Sequence, residues 1–126
     1  MEIKDVSEFD INVYRIVSYI PSGKVCTYGQ IAEVIGNKGL SRAVGSALRR
    51  NPYAPFVPCH RVVKADGDIS GYFGDNGELK DLKGQILIKE GISVNEKRKI
   101  VGLSDYLFNI KEYCSMLSMG MILVEE

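Results

Sequence analysis

Apolar and polar positions along this chain fall into helical stripes separated by glycine- and proline-marked breaks. Ser7 precedes a stripe in which Phe9, Val13, Ile16, Val17 and Ile20 recur at helical spacing, and Pro21 ends it. "PSGK" at 21–24 reads as a turn, and "VCT" as a short extended piece. Thr27-Tyr28-Gly29-Gln30 fits a capping box, with Thr27 as N-cap and Gln30 three residues on. The helix it opens carries Ile31, Val34 and Ile35 inward until Gly36-Asn37-Lys38-Gly39 breaks it. From about Ser41 a further helix is expected, with Leu40, Val44 and Leu48 as its buried stripe.

The other face of that helix is more informative. Arg42, Gly45, Ser46 and Arg49 share it by the three-and-four rule, so arginines flank small residues. Helix, short glycine turn, helix is the helix-turn-helix pattern. An αα-hairpin with solvated arginines satisfies the same pattern. Asn51-Pro52 stops the helix, and Pro52, Pro55 and Pro58 favour an extended, polyproline-like path. Arg61–Lys64, the "ADGD" turn and Ile69-Ser70 predict a β-hairpin placed as a wing. "GYFGDNGE" at 71–78 is a glycine-rich loop, "LKDLKGQILIKE" is helical up to Gly91, and "ISVNEKRKIVGLSDY" is loosely structured. Leu103, Leu107, Ile110, Cys114 and Leu117 suggest a last amphipathic helix. The expected class is mainly α with a small β-hairpin, winged helix-turn-helix-like.

Composition changes little: 45% apolar and 25% charged over 126 residues is ordinary for one soluble globular domain. No run of eighteen apolar residues offers a membrane span, and the acidic N-terminus has no apolar signal region. Three cysteines, at 26, 59 and 114, form neither a disulfide framework nor a zinc pattern, so free thiols inside the cell are the simplest reading. Net charge is zero, but residues 24–64 carry Lys24, Lys38, Arg42, Arg49, Arg50, Arg61 and Lys64 against Glu33 alone. Such an excess suits a polyanion-facing surface, and equally a set of solvated charges.

The candidate chemistry lies in "NPYAPFVPCHRVV" at 51–63, where the only histidine, His60, follows Cys59. The thiolate is the nucleophile of a cysteine, and an imidazole can take the thiol proton. In an extended segment adjacent side chains point to opposite sides, so direct contact needs a turn or a bridging water. Imidazole also needs its second nitrogen held, and no carboxylate is evident nearby in sequence. A buried cysteine beside an incidental histidine is the bland alternative.

"PCHRVV" at 58–63 resembles the active-site motif of the O6-alkylguanine-DNA alkyltransferases, the methylated-DNA–protein-cysteine methyltransferases. "IPSGKVCTYGQIAEVIG", "SRAVGSALRRNP", "GDISGY" and "LKGQILIKEG" are similar to that family's other blocks in the same order, over roughly residues 9–93. The resemblance implies that Cys59 accepts the alkyl group from O6 of guanine, with His60 as base through a water. Glu90 would orient His60, and Tyr28 would donate a proton to the departing guanine. Arg42 would replace the extruded nucleotide in the base stack. Asn51 would link the binding helix to the active-site segment, with Pro58, Arg61 and Val62 as support. Tyr72 would stand at the rim of the alkyl pocket.

Extrusion is a physical need, because O6 is stacked inside the duplex. The family's second helix enters the minor groove, about 6 Å wide, and the small-residue face Ala43-Gly45-Ser46-Ala47 with Arg49 fits there. Unaided, the pattern would have suggested the major groove. The resemblance further implies a monomer acting once on double-stranded DNA containing O6-alkylguanine, with no metal or organic cofactor. The setting would be cytoplasmic in a prokaryote and nuclear in a eukaryote. Residues 1–102 would be the catalytic and DNA-binding domain; residues 103–126, outside the resemblance, would form a helical tail packed on it and covering apolar surface, or else a dimerisation helix. The segment between Tyr72 and Glu90 is a few residues longer than the family's, which bears on the alkyl pocket. Small relatives that bind alkylated DNA without repairing it often carry tryptophan at the acceptor position; the cysteine here favours transfer. A winged-helix regulator whose Cys59 only senses alkylation is a third reading.

Overall fold

The computed structural model describes residues 7–54, 56–69 and 82–120. Tyr72, the predicted 71–78 loop and the end of the tail lie outside them. Helix α1 spans Glu8–Val17, and the Ser7 side chain caps it by accepting from Asp10 N–H. It stops short of Pro21; residues 18–20 continue as a tighter turn, with Tyr19 and Ile20 N–H bonded to the carbonyls of Ile16 and Val17. Strand β1, Cys26–Thr27, runs straight into α2, Tyr28–Ile35. The capping box forms in both directions: Gln30 N–H donates to Thr27 Oγ1 at 3.1 Å, and Thr27 N–H to Gln30 Oε1 at 2.8 Å. A 3₁₀ turn at Lys38–Leu40 leads into α3, Ser41–Arg49.

Val13, Val17, Ile31, Val44 and Leu48 from these three helices close one core, which also takes in Cys59 and Val62. Two side chains tie α3 and its C-terminal end to α1. Tyr14 Oη donates to the Ala47 carbonyl at 2.7 Å, and Arg50 clasps the buried Asp10.

The segment after α3 departs from its expected extended path. It turns back on itself, with Val57 N–H bonded to the Tyr53 carbonyl. Asn51 drives the turn: its Oδ1 accepts from Tyr53 N–H at 2.9 Å and its Nδ2 donates to the Val57 carbonyl at 3.0 Å. A local side-chain bond thus outweighs the proline preference. Cys59–Arg61 follows as a 3₁₀ turn, then β2, Val62–Val63.

The small sheet also differs from the expected hairpin. The tight turn forms, with Lys64 N–H on the Asp68 carbonyl and Gly67 at φ +87°. However, β2 pairs in parallel with β1, in register Cys26 to Val62 and Thr27 to Val63. Asp68 instead bridges to Lys99. That partner belongs to a hairpin-like fold at 93–101, within the stretch expected to be loose. There Asn95 Oδ1 accepts from the N–H groups of Lys97 and Lys99, and Val94 bridges Ile100. Helix α4, Leu82–Lys89, packs Leu87 with Val25, Val63, Ile69, Ile92 and Ile100 in a second core.

The last helix begins later than its apolar spacing suggests. Leu103–Asp105 is a 3₁₀ turn, Leu107 bridges in parallel to Val25, and α5 covers Ile110–Ser118. Ile110 is fully buried in the first core, with Phe108 and Cys114 against it. Among the described residues no helix is long and apolar enough to cross a membrane.

Candidate active site and nucleic-acid face

Cys59 and His60 are 3% and 4% exposed, at the foot of β2. A 3₁₀ turn repeats every three residues, so neighbouring side chains splay by roughly 120° rather than opposing one another. The turn removes the difficulty an extended Cys-His pair would have. Cys59 N–H donates to the Val57 carbonyl at 2.8 Å and Arg61 N–H to the carbonyl of the buried Pro58 at 2.9 Å, so both ends of the turn are tied to the segment before it.

Behind His60 stands Glu90, immediately after α4. His60 Nε2 lies 3.1 Å from Glu90 Oε2. Arg61 grips the same carboxylate, Nε to Oε1 at 3.0 Å and Nη2 to Oε2 at 2.6 Å, while its Nη1 donates to the Ile20 carbonyl at 2.8 Å. Burial alone would raise the Glu90 carboxyl, but the bonds from Arg61 and His60 outweigh it and hold its pKa below the ordinary range. Burial pushes the His60 imidazole down, and the Glu90 bond offsets only part of that. At neutral pH the site therefore pairs an anionic carboxylate with a neutral imidazole. Glu90 only accepts, so the His60 proton belongs on Nε2, leaving Nδ1 as the basic nitrogen.

Tyr28, at the first position of α2, packs against the core that holds Cys59. Burial first, then the nearby Cys59 charge, raises its phenol pKa, so the hydroxyl keeps its proton. Gly45 of α3 faces this ring, and a β-carbon there would sit 3.8 Å from Tyr28 Cε1. That distance is ordinary van der Waals contact, so the ring marks where α3 and α2 meet without demanding glycine there.

Lys83 is a group the sequence reading missed. It is fully buried, its Nζ donates to the Val62 carbonyl at 2.7 Å, and it lies 5.8 Å from the Tyr28 ring centroid. Burial lowers its pKa to about 7, against a raising pull from Cys59. The available signal was register: Lys83 shares a helix face with Leu87, also fully buried.

The remaining predicted residues divide by location. Arg42 and Arg49 are exposed on α3; Ala43, Gly45 and Ser46 are half-buried between them, whereas Ala47, expected on the same face, is fully buried in the core because it lies on the Val44 side of the helix. Asn51 ties the end of α3 to the segment before Cys59. Of the seven clustered cations Arg61 turns inward, to Glu90; Arg50 pairs with the buried Asp10 and Lys38 with Glu33, but both stay exposed, so part of the positive charge is already matched. A cleft of about 460 Å³ beside Tyr28 is lined by Thr27, Lys38, Ser41 and Lys64. Cys26 and Cys114 are free, and burial raises both thiol pKa values, Cys26 to about 12. Neither is poised as a nucleophile.

A buried thiol next to a histidine–carboxylate pair, beside the α2–α3 helix pair, forms a candidate nucleophilic site. The chain belongs to the 6-O-methylguanine DNA methyltransferase family, whose DNA-binding domain matches residues 8–92. The methylated-DNA–protein-cysteine methyltransferase of Methanosarcina acetivorans is 52% identical over 66 residues, which are 52% of this chain and 42% of that protein. That of Mycolicibacterium paratuberculosis is 52% identical over 68 residues, 54% of this chain and 41% of the relative. The chain thus spans less than half the length of these curated relatives. Among solved structures, S. pombe Atl1 in complex with damaged DNA containing O6-carboxymethylguanine is similar at TM-score 0.69 and 33% identity, over 80% of this chain and 94% of that one. Mycobacterium tuberculosis OGT in complex with DNA is similar at TM-score 0.61 and 41% identity, over 68% and 49%.

Proposed function

We propose that this protein repairs double-stranded DNA by moving the alkyl group of O6-alkylguanine onto Cys59, once per molecule. The observation that carries this reading is the Cys59–His60 turn with Glu90 locked behind it by Arg61. Neutral His60, its Nε2–H directed at Glu90, takes the thiol proton on Nδ1 through a water. The thiolate attacks the alkyl carbon; the S–C bond forms, the C–O6 bond breaks, and the electron pair leaves on the purine. Tyr28 donates a proton to the ring as that charge develops. The Lys83 ammonium stabilises the thiolate beforehand.

Arg42 occupies the place of the swung-out nucleotide, and the Ala43, Gly45 and Ser46 face enters the minor groove with Arg49 at its end. Asn51 keeps this helix in register with the Cys59 segment. The thioether is stable and none of the described site residues is placed to return the thiol, so the reaction is stoichiometric.

Duplex DNA with a labelled O6-methylguanine tests the reading. Label on Cys59, at most one per chain and lost in Cys59→Ala, is expected. The likeness to Atl1 bound to damaged DNA over nearly all of that chain favours one second reading, capture of the lesion without transfer. Tight binding of the lesion with no label on Cys59 would select it.

A further inference from the structure

The C-terminal segment is built into the sheet that joins the two halves of the site. Val25 N–H donates to the Tyr106 carbonyl and Phe108 N–H to the Val25 carbonyl, both at 2.9 Å. The segment around Leu107 therefore runs along the free edge of β1, while β2 occupies the other edge. The next residue, Phe108, offers its carbonyl to two side chains. Cys26 Sγ lies 3.4 Å from it and Gln30 Nε2 3.2 Å. Gln30 is also the residue whose Oε1 closes the capping box on Thr27. One carboxamide thus binds the C-terminal segment with its nitrogen and the N-terminus of α2 with its oxygen. Tyr28 is the first residue after that cap.

Beyond Phe108, α5 is anchored on the body of the domain. Ile110 is fully buried, and Tyr113 packs on Tyr19, in the turn after α1, and on Phe108, with ring centroids 5.2 and 5.6 Å apart. On the surface Lys111 reaches Glu33 of α2 at 3.3 Å. The Phe108 carbonyl is therefore a fixed point rather than a fraying end.

We propose that residues 106–118 form a clamp that sets the Tyr28 phenol against the reacting centre, with Gln30 as the positioning residue that transmits it. The inference rests on the repair reading above. The side-chain bonds of Gln30 go to Thr27 and Phe108, so it acts by fixing where α2 begins. A carboxylate in its place would still accept from Thr27 N–H but would turn its second oxygen on the Phe108 carbonyl, acceptor against acceptor. Gln30→Glu should release the clamp and leave the cap.

The test uses the full-length chain and O6-benzylguanine, with iodoacetamide as a probe of Cys59 that needs no proton donor. Gln30→Glu is expected to lower the benzyl-transfer rate at saturating substrate about ten-fold. Half-saturation and Cys59 alkylation by iodoacetamide should stay within two-fold of the parent. In a Tyr28→Phe background the same substitution should have no further effect, because the two residues act as one unit. Equal slowing with both reagents, or full additivity with Tyr28→Phe, would overturn the clamp and leave Gln30 as a support of the fold. Ile110→Ala, which loosens α5 from the other side, should reproduce the same split; a parental transfer rate in that variant would also overturn it. No transfer by the unsubstituted chain, with iodoacetamide still consuming Cys59, would instead bring down the repair reading itself.

Discussion

Arg61 holds Glu90 by a two-pronged pair, 3.0 Å and 2.6 Å, and one of the two carboxylate oxygens also meets His60 at 3.1 Å. Lysine in place of Arg61 would keep the charge and lose the fork. Glu90 would then rotate, and His60 with it. For Arg61→Lys we expect a stability loss of about 1–3 kcal/mol in urea unfolding, and a transfer rate lower by about ten-fold or more. An unchanged rate with lowered stability would remove Arg61 from the relay.

The relay also sets the response to acid. The Glu90 pKa lies below its ordinary 4.5, so its contribution is complete above that value and is lost as pH falls through the folded pKa. The His60 pKa lies below its ordinary 6.5, so the unfolded chain takes up that proton first and stability falls as pH drops from 6.5 towards the folded value. Both work in one direction. Urea midpoints from pH 7 down to 3, below the Lys83 range, should fall in two stages, and Glu90→Gln should abolish the lower one.

Lys83 carries the opposite lesson about charge. Its folded pKa of about 7 lies far below the ordinary 10.5, so the unfolded chain holds the proton more tightly. Stability from this group rises with pH between about 7 and 10.5, and below 7 the full cost of a buried ammonium is borne. Lys83→Met keeps the length and removes the charge, at the expense of an unpaired Val62 carbonyl. The variant should be more stable than the parent at pH 6, by an amount on the order of a few kcal/mol. That advantage should shrink steadily between pH 7 and pH 10. A pH-independent difference would show that packing, not charge, decides it.

Asn51 makes two backbone bonds that no other residue supplies among the described contacts. Asn51→Ala leaves Tyr53 N–H and the Val57 carbonyl to find water, at about 1–3 kcal/mol in total. More tellingly, the Cys59 segment would be freed towards the extended path that its prolines prefer. We expect faster amide exchange across 53–59, together with slower transfer.

Local signals were readable in the chain; contacts between distant segments were not. The Thr27–Gln30 box and the Ser7 cap need only residues three apart, and both form as spelled. The stripe of α3 was equally plain, since Val44 and Leu48 face the core together. The pairing of β1 with β2 joins strands of two residues each, too short for alternation to register, and 36 positions apart in the register Cys26 to Val62. Three prolines suggested extension, and a single asparagine reversed it. The fold at 93–101 turns on Asn95 and a left-handed Arg98 rather than on a glycine pair, so no turn signal marked it. Within the site, Cys59 and His60 announced themselves by adjacency. Glu90 came only from family resemblance, because thirty residues separate it from His60. Lys83 was hidden by the habit of reading every lysine as surface.

The parallel sense of the two-residue sheet has an outcome for the exterior. Strands running the same way discharge their chains at a common end, so Lys64 emerges alongside Thr27 and the opening of α2, with Lys38 across the cleft. An antiparallel return would have delivered Lys64 to the far end. Orientation in the apolar interior thus gathers positive charge at one corner, and reversing that sense would scatter the corner without altering a single residue.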